Sequence, residues 1–324
     1  MDTAERLQSY YNFSDETLAA TESVAGYQST FSSYQQYFEK GLGIPDGPKY
    51  TRDGQHQVID IRPPEHDPKM AMVVHLPLAN PLDANQIFQV GTIANTNPHL
   101  RVIAFGNPSG PGYQAGMLYK QARIRVTRGD FAPVVEPVKR YLDNAHIERV
   151  HHVGASYGAD LAAEAAADGS YHTEHLVPIE PAAIKFWKLR EFAKAFKSSA
   201  LPLQGYVKAA NQPLYMAARQ DSVKGVAYNL GIARLSNIAA IRGLARGGFE
   251  RRVDRALQEQ PQARATIIWG SESELAIDGI VNSIVSSLQG LHPRRVAAIR
   301  LRGQKHSLVN DIYLHAALVR EALN

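Results

Sequence analysis

After about residue 55 the chain becomes a series of short apolar runs separated by stretches with helical spacing. Gln57-Val58-Ile59-Asp60-Ile61 and Met70-Ala71-Met72-Val73-Val74-His75-Leu76 are strand-like. Residues 83 to 95 suit a crossover helix, and Leu100-Arg101-Val102-Ile103-Ala104-Phe105 is again a strand. A helix from Pro133 to Ala145 precedes the strand Arg149-Val150-His151-His152-Val153, which runs into an Ala-rich helix ending near Asp168. His175 to Glu180, Ala265 to Gly270 and Val296 to Leu301 complete the strands, and a helix from Asn310 to Leu323 closes the chain. Strands alternating with helices predict an α/β fold whose mostly parallel central sheet is flanked by helices.

Two stretches break that rhythm. Residues 1–48 form a leader with Tyr27, Phe31, Tyr34, Tyr37 and Phe38 at spacings of three and four, stopped by Gly41, Gly43, Pro45, Gly47 and Pro48. An aromatic stripe of this kind packs on the main domain or on a second subunit, so a homodimer is a candidate assembly. Residues 184–264 carry no convincing strand, only helical patterns such as Phe186-Trp187…Phe192…Phe196 and Ile238…Ile241…Leu244. The expected organisation is therefore an N-terminal leader (1–48), an α/β core (49–183 and 265–324) and an inserted helical cap (184–264).

Charge sharpens this division. The formal net charge is only +4, but residues 184–264 hold fifteen Lys and Arg against five Asp and Glu, leaving twenty against twenty-six elsewhere. A basic insertion on an acidic body suggests a substrate with an anionic portion. Aromatics interleave too sparsely with these cations, and no recognised motif is present, so nucleic acid is not an expected partner. With no cysteine in 324 residues, thiolate zinc sites, iron–sulfur clusters and cysteine nucleophiles are excluded. His172 and His175 lack a carboxylate-rich partner for a metal, and no cofactor motif is present. Acidic residues near Met1 and the lack of an apolar run of about 18 residues predict a cytoplasmic protein without a membrane span.

The candidate chemistry begins at Gly154-Ala155-Ser156-Tyr157-Gly158, a G-x-S-x-G between an apolar strand and a small-residue helix. A serine on such a sharp turn stands clear of the sheet, and the glycines relieve the crowding around it. A serine nucleophile needs a base. Of twelve histidines, His306 alone follows the last strand and precedes the last helix. The developing oxyanion requires backbone N–H donors, for which Tyr157 and the loop Gly106-Asn107-Pro108 are candidates. Within that loop Asn107 is preferred, because Pro108 has no N–H.

These motifs make residues 57–324 resemble the α/β-hydrolase superfamily, as a serine-nucleophile member with a helical cap. Phe105-Gly106-Asn107-Pro108 is similar to the His-Gly-Asn-Pro loop of haloalkane dehalogenases and their relatives, with Phe105 replacing the histidine. Those enzymes use an aspartate nucleophile. Ser156 instead implies ester or thioester hydrolysis through an acyl-enzyme. The resemblance also implies an Asp three residues after Gly270, where this chain has Ser273. Glu274 is the first choice for the acid and Glu180, which ends an earlier strand, the alternative; Glu272 and Asp278 remain. Two function classes follow: a serine esterase or thioesterase built on a catalytic triad and oxyanion hole, or a non-catalytic binding protein that keeps the fold.

Overall fold

The computed structural model describes residues 12–20, 49–50, 57–78, 82, 84–106, 118–200 and 234–324. Eight strands form one sheet: β1 (Lys49–Tyr50), β2 (Gln57–Ile61), β3 (Met70–His75), β4 (Arg101–Phe105), β5 (Arg149–Ala155), β6 (His172–Ile179), β7 (Arg264–Gly270) and β8 (Val296–Leu301). Their order across the sheet is β1-β2-β4-β3-β5-β6-β7-β8. Only β1 and β2 run against their neighbours; the strands from β4 to β8 are parallel. Parallel strands need long crossovers, and helices supply them. These are α1 (Ala84–Thr96), α2 (Lys120–Thr127), α3 (Ala132–Asn144), α4 (Tyr157–Ala166), α5 (Leu189–Ala200), α6 (Arg234–Ala245), α7 (Phe249–Glu259), α8 (Asp278–Leu291) and α9 (Ile312–Leu323).

The continuous apolar run of β3 is explained by cover on both sheet faces. Met72 and Val74 join a core with Val90 and Ile93 of α1 and Leu314 and Leu318 of α9. Ala71 and Val73, pointing the other way, pack with Val138 and Leu142 of α3. The short helical segment at residues 15–20 belongs to the first of these cores through Leu18, joined by Phe13 just before it. Its Ser14 N–H and Thr17 hydroxyl donate to Glu321 of α9. Burying two such side chains contributes about 1.5–3 kcal/mol each. The aromatics at 27–38 lie outside the described residues.

Between β6 and β7 the regular elements among the described residues are helices, with residues 201–233 outside the description. The last of these helices, α7, buries Phe249, Val253, Ala256 and Leu257 in the core that also holds Ala162, Ala163, Ala165 and Ala166 of α4. It packs mainly against α4 and also touches β7. Two of the basic residues counted in this interval are engaged by α4, one of them, Arg252, buried. Arg255 pairs with Glu164 of α4 at 2.8 Å, and Arg252 pairs with the wholly buried Asp160 of α4.

Asp160 also accepts a hydrogen bond from the Ala183 N–H at 3.2 Å, so it ties the first turn of α4 to the chain after β6. Removing one member of a buried ion pair leaves the other charge uncompensated. Asp160→Asn is expected to cost about 3 kcal/mol in denaturant unfolding. A variant as stable as wild type would contradict this account of the pair.

A second charged knot holds the sheet edge. Asp60 on β2 accepts from Arg101 on β4 at 2.8 Å through both oxygens, and from Arg62 and Tyr141. Burial opposes ionisation of Asp60, but the hydrogen bonds from Arg101 and Arg62 outweigh it and hold the carboxyl at about 2. A carboxyl held below its ordinary value stabilises the fold above pH ~4 and loses that contribution as the pH falls toward ~2. Asp60→Asn should therefore lose about 1–2 kcal/mol at neutral pH, allowing for solvent screening, with the difference from wild type shrinking below pH ~4. Urea titrations at several pH values measure it.

Candidate active site

Ser156 ends β5 and opens α4 with φ 56° and ψ −118°, a conformation that few non-glycine residues adopt. Its neighbours make this turn possible. A Cβ on Gly154 would lie 2.0 Å from the Gly158 carbonyl oxygen, and one on Gly158 would lie 2.0 Å from that of His75. Neither position can carry a side chain without moving backbone. All ten residues of α4 are buried, and Gly158, Ala159, Ala162 and Ala163 let the helix lie close to the sheet.

The ends of the next strands are stepped so that their side chains meet Ser156. The Ser156 N–H donates to Ile179 O at the end of β6, and the Glu180 N–H donates to Ile268 O of β7. Glu180, one residue beyond β6, has φ 55° and is 0% exposed. From the other side comes the loop between β8 and the 3-10 turn His306–Asn310. A Cβ on Gly270 would lie 2.2 Å from Gln304 O, so the glycine ending β7 is what admits this loop.

Three side chains are brought together here. His306 Nε2 lies 3.1 Å from Ser156 Oγ, and His306 Nδ1 lies 2.9 Å from Glu180 Oε2. The other Glu180 oxygen accepts the Gly270 N–H at 2.5 Å. Ser156 and His306 are each 6% exposed, so the relay is largely screened from bulk water.

The remaining candidate acids are elsewhere. Glu274, the first choice from sequence, is not a partner of His306, and its buried Oε2 has no hydrogen-bond partner among the described residues. Glu272 is exposed, and Asp278 is engaged by Arg300 and Trp269. Ser273, which the family resemblance put at the acid position, instead donates its hydroxyl to Glu180 Oε2 at 2.5 Å. The acid beside His306 is therefore Glu180, the sequence's alternative.

No family model matches the sequence, and no curated protein matches it. Solved structures do. An enol-lactonase from Burkholderia xenovorans has a TM-score of 0.57 at 11% identity, over 85% of this chain and 99% of that one. A carboxylesterase from Bacillus subtilis gives 0.51 at 15% identity, over 94% of this chain and 98% of that one. An α/β-hydrolase enzyme from a Medee basin deep-sea metagenome library gives 0.51 at 14%, over 82% and 94%. The fold is that of the α/β-hydrolases.

In an α/β-hydrolase fold the oxyanion donors come from the residue after the nucleophile and from the loop after β3. Tyr157 has the first position: it begins α4, where an N–H has no acceptor within the helix. Asn107 lies outside the described residues. β4, which leads to it, is separated from β5 by β3, whereas His75 of β3 pairs directly with Gly154. The close approach of Gly158 to the carbonyls of His75 and Leu76 places the start of the β3 loop beside the Ser156 turn. The Leu76 N–H is therefore a second candidate donor, absent from the candidates read from the sequence.

Several of the other histidines, His75, His152 and His315 among them, are buried in the core. His75 Nε2 and His152 Nδ1 are 3.1 Å apart, and burial pushes His75 down to about 3 and His152 well below its ordinary value, so both are neutral at pH 7. His175 bonds Thr266 Oγ1 at 2.8 Å rather than His172. Among the described residues, no group of three or more metal-ligating side chains gathers, and no helix is long and apolar enough to cross a membrane.

Proposed function

We propose that this chain is a serine hydrolase that cleaves carboxylic esters or thioesters through an acyl-enzyme. The observation that carries the reading is the unbroken run of contacts from Ser156 Oγ to His306 Nε2, and from His306 Nδ1 to Glu180. An alkoxide forms only if the serine proton has somewhere to go, and His306 Nε2 is at hydrogen-bond distance to take it. Glu180 orients the ring and stabilises the imidazolium that results. The Ser156 oxygen attacks the carbonyl carbon, and the N–H groups of Tyr157 and Leu76 hold the oxyanion. His306 then delivers its proton to the leaving alcohol or thiol. Water, deprotonated by the same ring, attacks the acyl-enzyme and returns Ser156.

Helices α5 and α6 form the cap in this reading, and α7 belongs to the core. Arg190, Lys194 and Lys197 are exposed along α5, with Lys188 exposed just before it, a basic surface suited to an anionic part of the substrate. The non-catalytic alternative rests on Ser273 at the acid position and on Phe105 in place of the loop histidine; Glu180 beside His306 answers the first and favours catalysis. Pre-steady-state hydrolysis of p-nitrophenyl acetate is the test. A burst of p-nitrophenol approaching one equivalent per protein is expected, followed by slower turnover. Release no faster than in buffer would reject the proposal.

A further inference from the structure

We infer that Ser273 is a positioning residue for the acid, locking the Glu180 carboxylate against His306; this rests on the serine-hydrolase reading above. Glu180 is a buried side chain with three rotatable bonds, starting from a residue at φ 55°. Such an arm is aimed only if both of its oxygens are held. The Gly270 N–H holds Oε1, while Oε2 receives His306 Nδ1 at 2.9 Å and the Ser273 hydroxyl at 2.5 Å. The Ser273 hydroxyl cannot turn its proton elsewhere without loss, because its oxygen already accepts the Ala276 N–H at 3.0 Å. A hydroxyl has one proton to donate, so that acceptor role directs the proton to the carboxylate.

The consequence concerns function rather than folding alone. Gly270 and Ser273 fix the two oxygens independently of His306, so the carboxylate remains in place when His306 gains and loses its proton. Without the hydroxyl, Oε2 is held only by the ring it is meant to orient. The ring then loses a fixed reference during each proton transfer, and misalignment of a catalytic base lowers kcat more than it changes binding.

The test compares wild type with Ser273→Ala, Ser273→Cys and Ser273→Thr in p-nitrophenyl acetate hydrolysis and in proton NMR. The far-downfield resonance of the His306 Nδ1–H, identified by its loss in Glu180→Gln, reports the bond to the carboxylate directly. Ser273→Ala is expected to lower kcat about tenfold with KM within about twofold, and to broaden or shift that resonance. Ser273→Cys keeps the shape with a weak donor and should lose nearly as much. Ser273→Thr keeps the hydroxyl and should recover most of the rate. Wild-type kcat and an unmoved resonance in both Ser273→Ala and Ser273→Cys would overturn this inference alone. So would equal losses of rate in all three variants, Thr included. A wild-type protein without a burst would overturn the hydrolase reading, and this inference with it.

Discussion

Replacing Ser156 by alanine is expected to abolish the burst and lower kcat for a reactive ester by about 10⁴–10⁶-fold. The size follows from what remains. Without the Oγ there is no acyl-enzyme, and His306 can at best help water to attack directly. The N–H groups at Tyr157 and Leu76 still stabilise an oxyanion, so a rate above that in buffer persists. The substitution should leave the fold intact. Alanine fits the space, although it inherits the φ of 56° at this turn. Melting near wild type together with lost turnover would assign the effect to chemistry. Hydrolysis unchanged in Ser156→Ala would mean that any esterase activity comes from another site.

Glu180 should show the second large effect. Glu180→Gln preserves size and can still bond His306, but it removes the charge that stabilises the imidazolium and allows the wrong tautomer to be held. A loss in kcat of about 10³–10⁴-fold is expected. Glu274→Gln serves as the comparison and should stay within about twofold of wild type, because Glu274 is not bonded to His306. The reverse result, a severe loss at Glu274 and none at Glu180, would assign the acid to the β7 loop. Glu180 also accepts the Gly270 N–H, so the stability of Glu180→Gln should be measured alongside its rate.

Much of this fold was legible because its local and global requirements coincide. β3 shows as an apolar run since both of its faces are buried, and the predicted span of 70–76 falls within one residue of the observed Met70–His75. Ser156 was legible for a related reason. The turn excludes side chains at positions 154 and 158 by backbone contact, and that exclusion is written as glycine. His306 was found by its place between the last strand and the last helix. What the sequence leaves open here is spatial. Asn107 follows a strand that is next in the chain after β3 but not next to β5, and strand order is not a property of any one segment. Leu76 carries no special side chain because a backbone N–H does not need one.

The acid shows the same limit in a sharper form. Which carboxylate reaches His306 depends on the register between β6 and β7, where Ile179 pairs with Ile268 and sets Glu180 beside Gly270. Sequence places a serine at 273 and leaves the acid open, with Glu274 first, Glu180 next, and Glu272, Asp278 or no acid behind them. The hydroxyl of Ser273 touches the carboxylate that lies beside His306. Helix α7 falls inside the predicted insertion, and its buried face, Phe249, Val253, Ala256 and Leu257, packs in the α4 core. The basic count over 184–264 loses some of its force for the same reason, with Arg252 and Arg255 engaged by α4.

The proposed hydrolase activity requires Ser156 to be a nucleophile activated by His306 and Glu180. A fluorophosphonate ester tests it most directly, because it reacts with an activated serine and remains on the oxygen that attacked. Wild-type protein should take up one phosphonyl group, mapped by peptide mass spectrometry to Ser156, with Ser156→Ala unlabelled and Glu180→Gln labelled far more slowly. A wild-type protein that takes up no label, or a Ser156→Ala variant that labels at the wild-type rate, would contradict it.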